Sequence, residues 1–253
     1  MKRTLLPLAA AAAAFFTVLP GLATTPAESP RTAVAYDSLQ ARAYRFYAHR
    51  EWHSVIAMCW LMLDEKPDRA ETYAQALTAA TVAGDTLAQG QLTTAASRRG
   101  LAPEPVFSLV RSRCVALGDA ALYVDYLNRV KVQEPWLARA VDGALARYYA
   151  GRRDGQATLL YSDKMLQGLP DSREYLTLMA RGYLDEGNIA AAMKVWSHIL
   201  TLFPDDTEAL LWLGNGALAA GDKESALAYL AKANSLKPTP WLARKIRELK
   251  EVP

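Results

Sequence analysis

The strongest constraint on this chain is a ruler written in its turn residues. Pro67, Pro135, Pro170, Pro204 and Pro238 are separated by 68, 35, 34 and 34 residues. A second set, Gly84-Asp85, Gly118-Asp119, Gly187-Asn188 and Gly221-Asp222, is separated by 34, 69 and 34. The 68 is two periods with Leu101, beside Pro103, in place of the middle proline. Both rulers put one extra residue between Pro135 and Pro170. The landmarks do different jobs, so their agreement is informative. Glycine ends a helix by taking the left-handed conformation, the Asp or Asn after it caps the next helix, and proline cannot continue the helix before it. Each period is therefore a pair of helices. One such hairpin cannot bury its apolar face alone, so neighbours must stack.

The clearest copy spans 206–238, DTEALLWLGNGALAAGDKESALAYLAKANSLKP. Leu210, Leu213, Gly214, Ala217, Ala226, Leu230, Ala233 and Pro238 fall on the spacing of the tetratricopeptide repeat, a 34-residue helix–turn–helix unit, which this stretch resembles. Two positions depart from that pattern: Trp212 sits two residues after the usual Trp, and Ala217 replaces the usual Tyr. The resemblance implies an all-α, right-handed superhelical solenoid of about six hairpins, over 36–69, 70–103, 104–137, 138–172, 173–206 and 207–238. Earlier copies are less faithful. The first turn carries Arg50-Glu51 without glycine, and Gln89 and Arg111 stand where small residues are expected. The fourth copy holds the insertion, with Gly151 and Gly155 around Arg152-Arg153-Asp154, which predicts a longer turn. The last segment, 239–253, presents Trp241, Leu242, Ile246 and Leu249 as one apolar stripe and reads as a helix capping the open end.

With 51% apolar and 22% charged residues the chain has the material for a packed core, which excludes a disordered one. Lys2-Arg3, an uncharged Ala/Leu-rich run and a small-x-small site before Thr24 have the order of parts of a secretory signal peptide over 1–23, followed by a linker at 24–35. Pro7 and Pro20 and the many alanines make that run a poor membrane span. No stable transmembrane span is therefore expected after cleavage, and the expected location is the periplasm or cell envelope. Net charge is +3, or +1 without Lys2 and Arg3, which gives no case for nucleic acid.

Candidate chemistry is sparse. His49 and His53 are four residues apart, a spacing that suits a metal pair on one helix. They straddle the first turn, however, have no third ligand, and carry Arg50 where a zinc protease needs Glu. A metal-dependent or accessory enzyme built on them is the alternative reading, with an N-terminally anchored structural spacer as a third. His198 reads as a surface residue. Cys59 and Cys114 read as buried hydrophobes in repeats that do not touch. Carboxylate pairs such as Asp205-Asp206 and Asp185-Glu186 lie at helix ends, where capping and the helix dipole explain them. No catalytic residue, metal site or cofactor is assigned.

By the same resemblance, fixed positions of each first helix point into a concave groove that binds a protein or peptide. In this sequence they include Gln40, Tyr44, Tyr47, Thr78, Ser112, Arg147, Thr177, Arg181 and Asn215. The lysines by which some members grip a C-terminal carboxylate are missing, and only Asn215 matches that set. Solenoid ends can stack, so self-association stays open. The expected function is that of an exported scaffold, and N-terminal sequencing of the exported chain should begin at Thr24. A start at Met1 would favour the anchored spacer.

Overall fold

The computed structural model describes residues 36–251; the expected leader and linker lie outside this range. Within it the helices pair as the ruler requires: α1 (Tyr36–Ala48) with α2 (Trp52–Glu65), α3 (Ala70–Ala83) with α4 (Thr86–Arg98), and α5 (Pro103–Ala116) with α6 (Ala121–Gln133). After a 3-10 turn at Pro135–Leu137 come α7 (Ala138–Arg152) with α8 (Gly155–Leu166), α9 (Arg173–Asp185) with α10 (Ile189–Leu202), and α11 (Thr207–Ala219) with α12 (Lys223–Leu236). A final α13 (Pro240–Glu251) follows. No strand is present among the described residues, and no helix is long and apolar enough to cross a membrane.

The turn chemistry is what the sequence implies. Gly84, Gly118, Gly187 and Gly221 have φ of 70–79°, a backbone that side chains with a Cβ rarely adopt. Asp85, Asp154, Asn188 and Asp222 each accept a hydrogen bond from the N–H three residues on, at 2.9–3.0 Å. These caps satisfy donors the helices cannot satisfy themselves. Arg50 and Arg153 take the left-handed position in the first and fourth hairpins. The fourth turn is not longer than the others, contrary to expectation. The extra residue extends α7 to 15 residues, and Arg153-Asp154 does the work of a Gly-Asp pair.

The second hairpin departs from a uniform stack. Every residue of α3 from Thr72 to Thr81 is buried. The helix can be enclosed because most of its side chains are small and its buried hydroxyls are bonded: Thr78 Oγ1 donates to Ala74 O and Thr81 Oγ1 to Leu77 O, both at 2.7 Å, and Thr72 Oγ1 pairs with the Tyr36 hydroxyl of α1 at 2.9 Å. Small side chains let backbones approach, so α5 lies directly on α3 while α6 packs on both α3 and α4. Gln89, fully buried, ties α4 to α6 by donating to Tyr126 O at 3.2 Å. A large core runs from α2 to α7 as a result.

Beyond α7 the stacking becomes regular, with α8, α10 and α12 each packed between their own first helix and the next one. Separate apolar clusters form over α9–α11 and α11–α13. A small cluster of Ala146, Met165 and Tyr175, with Tyr161, Leu166 and Leu178 packed against it, joins α7, α8 and α9. The final helix caps the end through Leu242, Ile246 and Leu249. Trp241 is not part of that stripe: it is 57% exposed, with Lys245 Nζ 5.2 Å from its ring centre.

Between the fifth and sixth hairpins, Asp206 is nearly enclosed, caps α11 through the Ala209 N–H at 2.9 Å and pairs with Arg173. Burial alone would raise its pKa; the Arg173 guanidinium and the Ala209 and Glu208 N–H groups reverse this and hold it below the ordinary Asp value. A depressed folded pKa contributes stability above the unfolded value of about 3.9 and loses it as pH falls through the folded value. Thermal melts should therefore be flat from neutral pH to about 5 and fall below about 4. Asp206→Asn keeps a capping oxygen but loses the charge. It should cost about 1–2 kcal/mol at pH 7 and flatten that acid decline. A second prediction concerns close approach. A Cβ on Gly155 would lie 2.8 Å from the Gly182 carbonyl oxygen, whereas nothing lies within 4 Å of one on Gly151. In urea denaturation Gly155→Ala should cost about 1–3 kcal/mol and Gly151→Ala should be neutral or stabilise by up to about 1 kcal/mol.

Candidate partner-binding surface

The nine residues expected to line a groove meet three different fates. Two are in the core. Thr78 is fully buried, because α5 and α6 close over α3, and Thr177 is buried at the α9 interface with an Oγ1 that has no partner. Neither can face a partner in this structure, which corrects the expectation for both. Four stay accessible. Gln40 is half-buried and Tyr44 is 52% exposed on α1. Ser112 is exposed and donates to Ser108 O at 3.0 Å. Tyr47 sits edge-on to Trp52 at 5.3 Å, and burial raises its pKa while the Arg113 charge opposes the shift.

The remaining three join neighbouring hairpins to each other. Arg147 of α7 donates to both carboxylate oxygens of Glu174 on α9, at 2.5 and 3.0 Å, and to the Tyr175 hydroxyl at 3.2 Å. That hydrogen bond raises the Arg147 pKa and lowers the Glu174 pKa. Arg181 of α9 donates to Glu208 of α11 at 2.6 Å, and Lys245 of α13 donates to Asn215 of α11 at 2.6 Å. These polar links run from one first helix to the next, so the residues read as partner contacts are already engaged in the free chain.

The concave places on this face lie between α5 and α9. One cavity of about 80 Å³ is lined by Ser108, Arg111, Tyr123 and Arg147. Burial pushes the Tyr123 phenol up to about 12, while the Arg111 and Arg147 charges act against that shift. Arg111 has no ion pair among the described residues. A second cavity of about 360 Å³ is apolar, with Trp136, Met165, Leu169 and Tyr175 in its wall. Glu104 borders both cavities. Trp136, 61% exposed, and Leu169, 43% exposed, stand at the larger one. Sequence reasoning missed this pair because neither occupies a first-helix position. The available signal was an aromatic following Pro135 and a leucine preceding Pro170, each at a repeat junction.

The residues considered for chemistry do not converge. His49 lies in the turn after α1 and His53 in the first turn of α2, both exposed, and His198 is exposed on α10. Among the described residues no three His, Cys, Asp or Glu side chains are grouped as a metal site. Cys59 and Cys114 are free and buried, and burial pushes their thiols to about 12 and about 11. Such thiols are poor nucleophiles at neutral pH, because the thiolate is the reactive form.

No protein-family model matches the chain, and no curated protein matches it in sequence. Solved structures that are similar include the APC/C hetero-tetramer Cut9-Hcn1, at 12% identity and TM-score 0.47. That match covers 85% of this chain and 43% of the other, so this chain spans less than half of that length. MamA AMB-1 is 17% identical, with TM-score 0.45 and coverage of 65% and 96%. The C-terminal part of a TPR repeat-containing protein from Cytophaga hutchinsonii is 12% identical, with TM-score 0.46 and coverage of 78% of each chain. At such scores nothing about binding is carried over from them. The 34-residue period and the paired helices that follow it make this chain a helix-hairpin repeat fold, the architecture that the tetratricopeptide resemblance of its sequence implies.

Proposed function

We propose that the chain is an exported scaffold that binds a protein or peptide partner in the cell envelope, through the face between α5 and α9. The observation that carries this reading is the apolar cavity walled by Trp136 and Leu169 and adjoining the Arg111–Arg147 pair across Glu104. An exposed tryptophan beside a cavity with room for one bulky side chain is the kind of anchor that dominates protein interfaces, and arginine beside it holds a carboxylate with directed bonds. The polar links between first helices fix the spacing of this surface before a partner arrives, which lowers the ordering cost of binding. The leader read in the sequence supports the location.

Photo-crosslinking tests the face directly. A crosslinker placed at Arg139 or Ala140, which line the cavity, should capture one defined partner from envelope extract. Trp136→Ala with Leu169→Ala should reduce that capture at least tenfold at unchanged helical circular dichroism. Undiminished capture by the folded double variant would remove this face from the function.

A further inference from the structure

A larger concavity lies away from the first-helix face. It occupies about 910 Å³ between α2, α4 and α6 and has two exposed arginines at one end. Its origin is the close packing of α3: with α6 drawn onto α3 and α4, the outer face of α4 is left as a floor. That floor carries Leu87, 72% exposed, then Gly90 and Gln91, and ends at Arg98 and Arg99. Trp60 of α2 forms one wall and the end of α6 the other. Gly90 gives the floor its depth, since a Cβ there would meet the Gln133 side chain at 3.6 Å.

The charges in the trough are not balanced. Glu134 is its acidic residue, and both its oxygens are occupied: Oε1 accepts from Thr94 Oγ1 at 2.5 Å and Oε2 from Trp136 Nε1 at 2.8 Å. Arg98 and Arg99 have no ion pair among the described residues. The trough is also long and open. Eleven helical residues separate Leu87 from Arg98, which at 1.5 Å per residue is about 16 Å. An enclosed small molecule would be mostly covered by its site; a shape like this one suits an extended chain. At roughly 3.3 Å per residue, about five residues of extended peptide span it.

We infer that this trough docks an extended acidic segment of a partner protein, with an apolar side chain over Leu87 and Gly90 and, on the same face of the extended chain, carboxylates about four and six residues further on at Arg98 and Arg99. It is a second interaction surface, joined to the one between α5 and α9 by the Trp136–Glu134 hydrogen bond. The guanidinium groups supply two-point hydrogen bonds to the carboxylates, and Trp60 offers an apolar wall beside the peptide backbone.

Calorimetry with a defined probe tests this. The acetylated, amidated peptide Leu-Gly-Gly-Ser-Glu-Gly-Glu should bind the purified chain, and its counterpart with Gln at both Glu positions should bind at least tenfold more weakly. Arg98→Gln with Arg99→Gln should weaken the acidic peptide by a similar factor, and Gly90→Met, which fills the floor, should do the same without touching a charge. Arg244→Gln with Arg247→Gln on α13 removes the same charge elsewhere and should change nothing. No binding of the acidic peptide, equal binding of the two peptides, or an equal loss in the α13 variant would overturn the proposal.

Discussion

The enclosure of α3 governs the rest of the molecule. A helix buried all round must present nothing large and leave no polar group unsatisfied. Alanines at four of the ten enclosed positions go far toward the first demand, and Thr78 and Thr81, bonded back to their own helix, meet the second, while the Gln75 amide nitrogen is buried without a partner. With α3 so thin, α5 settles onto it and α6 follows. Two surfaces change together: the first-helix face is covered at the second hairpin, and the outer side of α4 is opened. A groove running unbroken along six first helices is therefore not what this chain presents.

Past α7 a different bond takes over. Arg147 with Glu174, Arg181 with Glu208, Arg173 with Asp206, and Lys245 with Asn215 all join adjacent hairpins. Exposed pairs of this kind contribute little to stability individually. Their effect here is geometric, because each link fixes the register of one first helix against the next. Asp206 differs from the others. Buried and capping a helix, it cannot lose its partner without leaving a charge in the interior.

Element boundaries were legible because the residues that set them act locally. Gly-Asp pairs and prolines end and start helices wherever they stand, so the six first helices begin at or within one residue of where the spacing places them. Burial is not local, and there the sequence spoke less clearly. Thr78 and Thr177 sit at positions that face outward in a uniform stack, and only contacts between distant segments enclose them. The inserted residue in the fourth hairpin was visible, but its accommodation inside α7 was not, because Arg153 takes a backbone conformation usually left to glycine. Trp241 was assigned to the capping stripe on spacing alone and stands exposed, whereas Leu242, read into the same stripe, is buried there. The trough along α4 had no sequence signal beyond an exposed-looking Leu87 and the pair Arg98-Arg99.

The partition of the apolar interior has a mechanical meaning. One large core holds the first half and smaller cores hold the second, joined at α7–α9 by Ala146, Met165 and Tyr175 with Tyr161 and Leu166 packed against them. In an array where each unit is held only by its neighbours, tension is borne by the weakest junction rather than shared throughout. Pulled from its ends, this chain would yield first at its C-terminal cap, where α13 is held mainly by α12, and last in the large N-terminal core. Under such a load the molecule would lengthen from its C-terminal end in steps, one helix pair at a time.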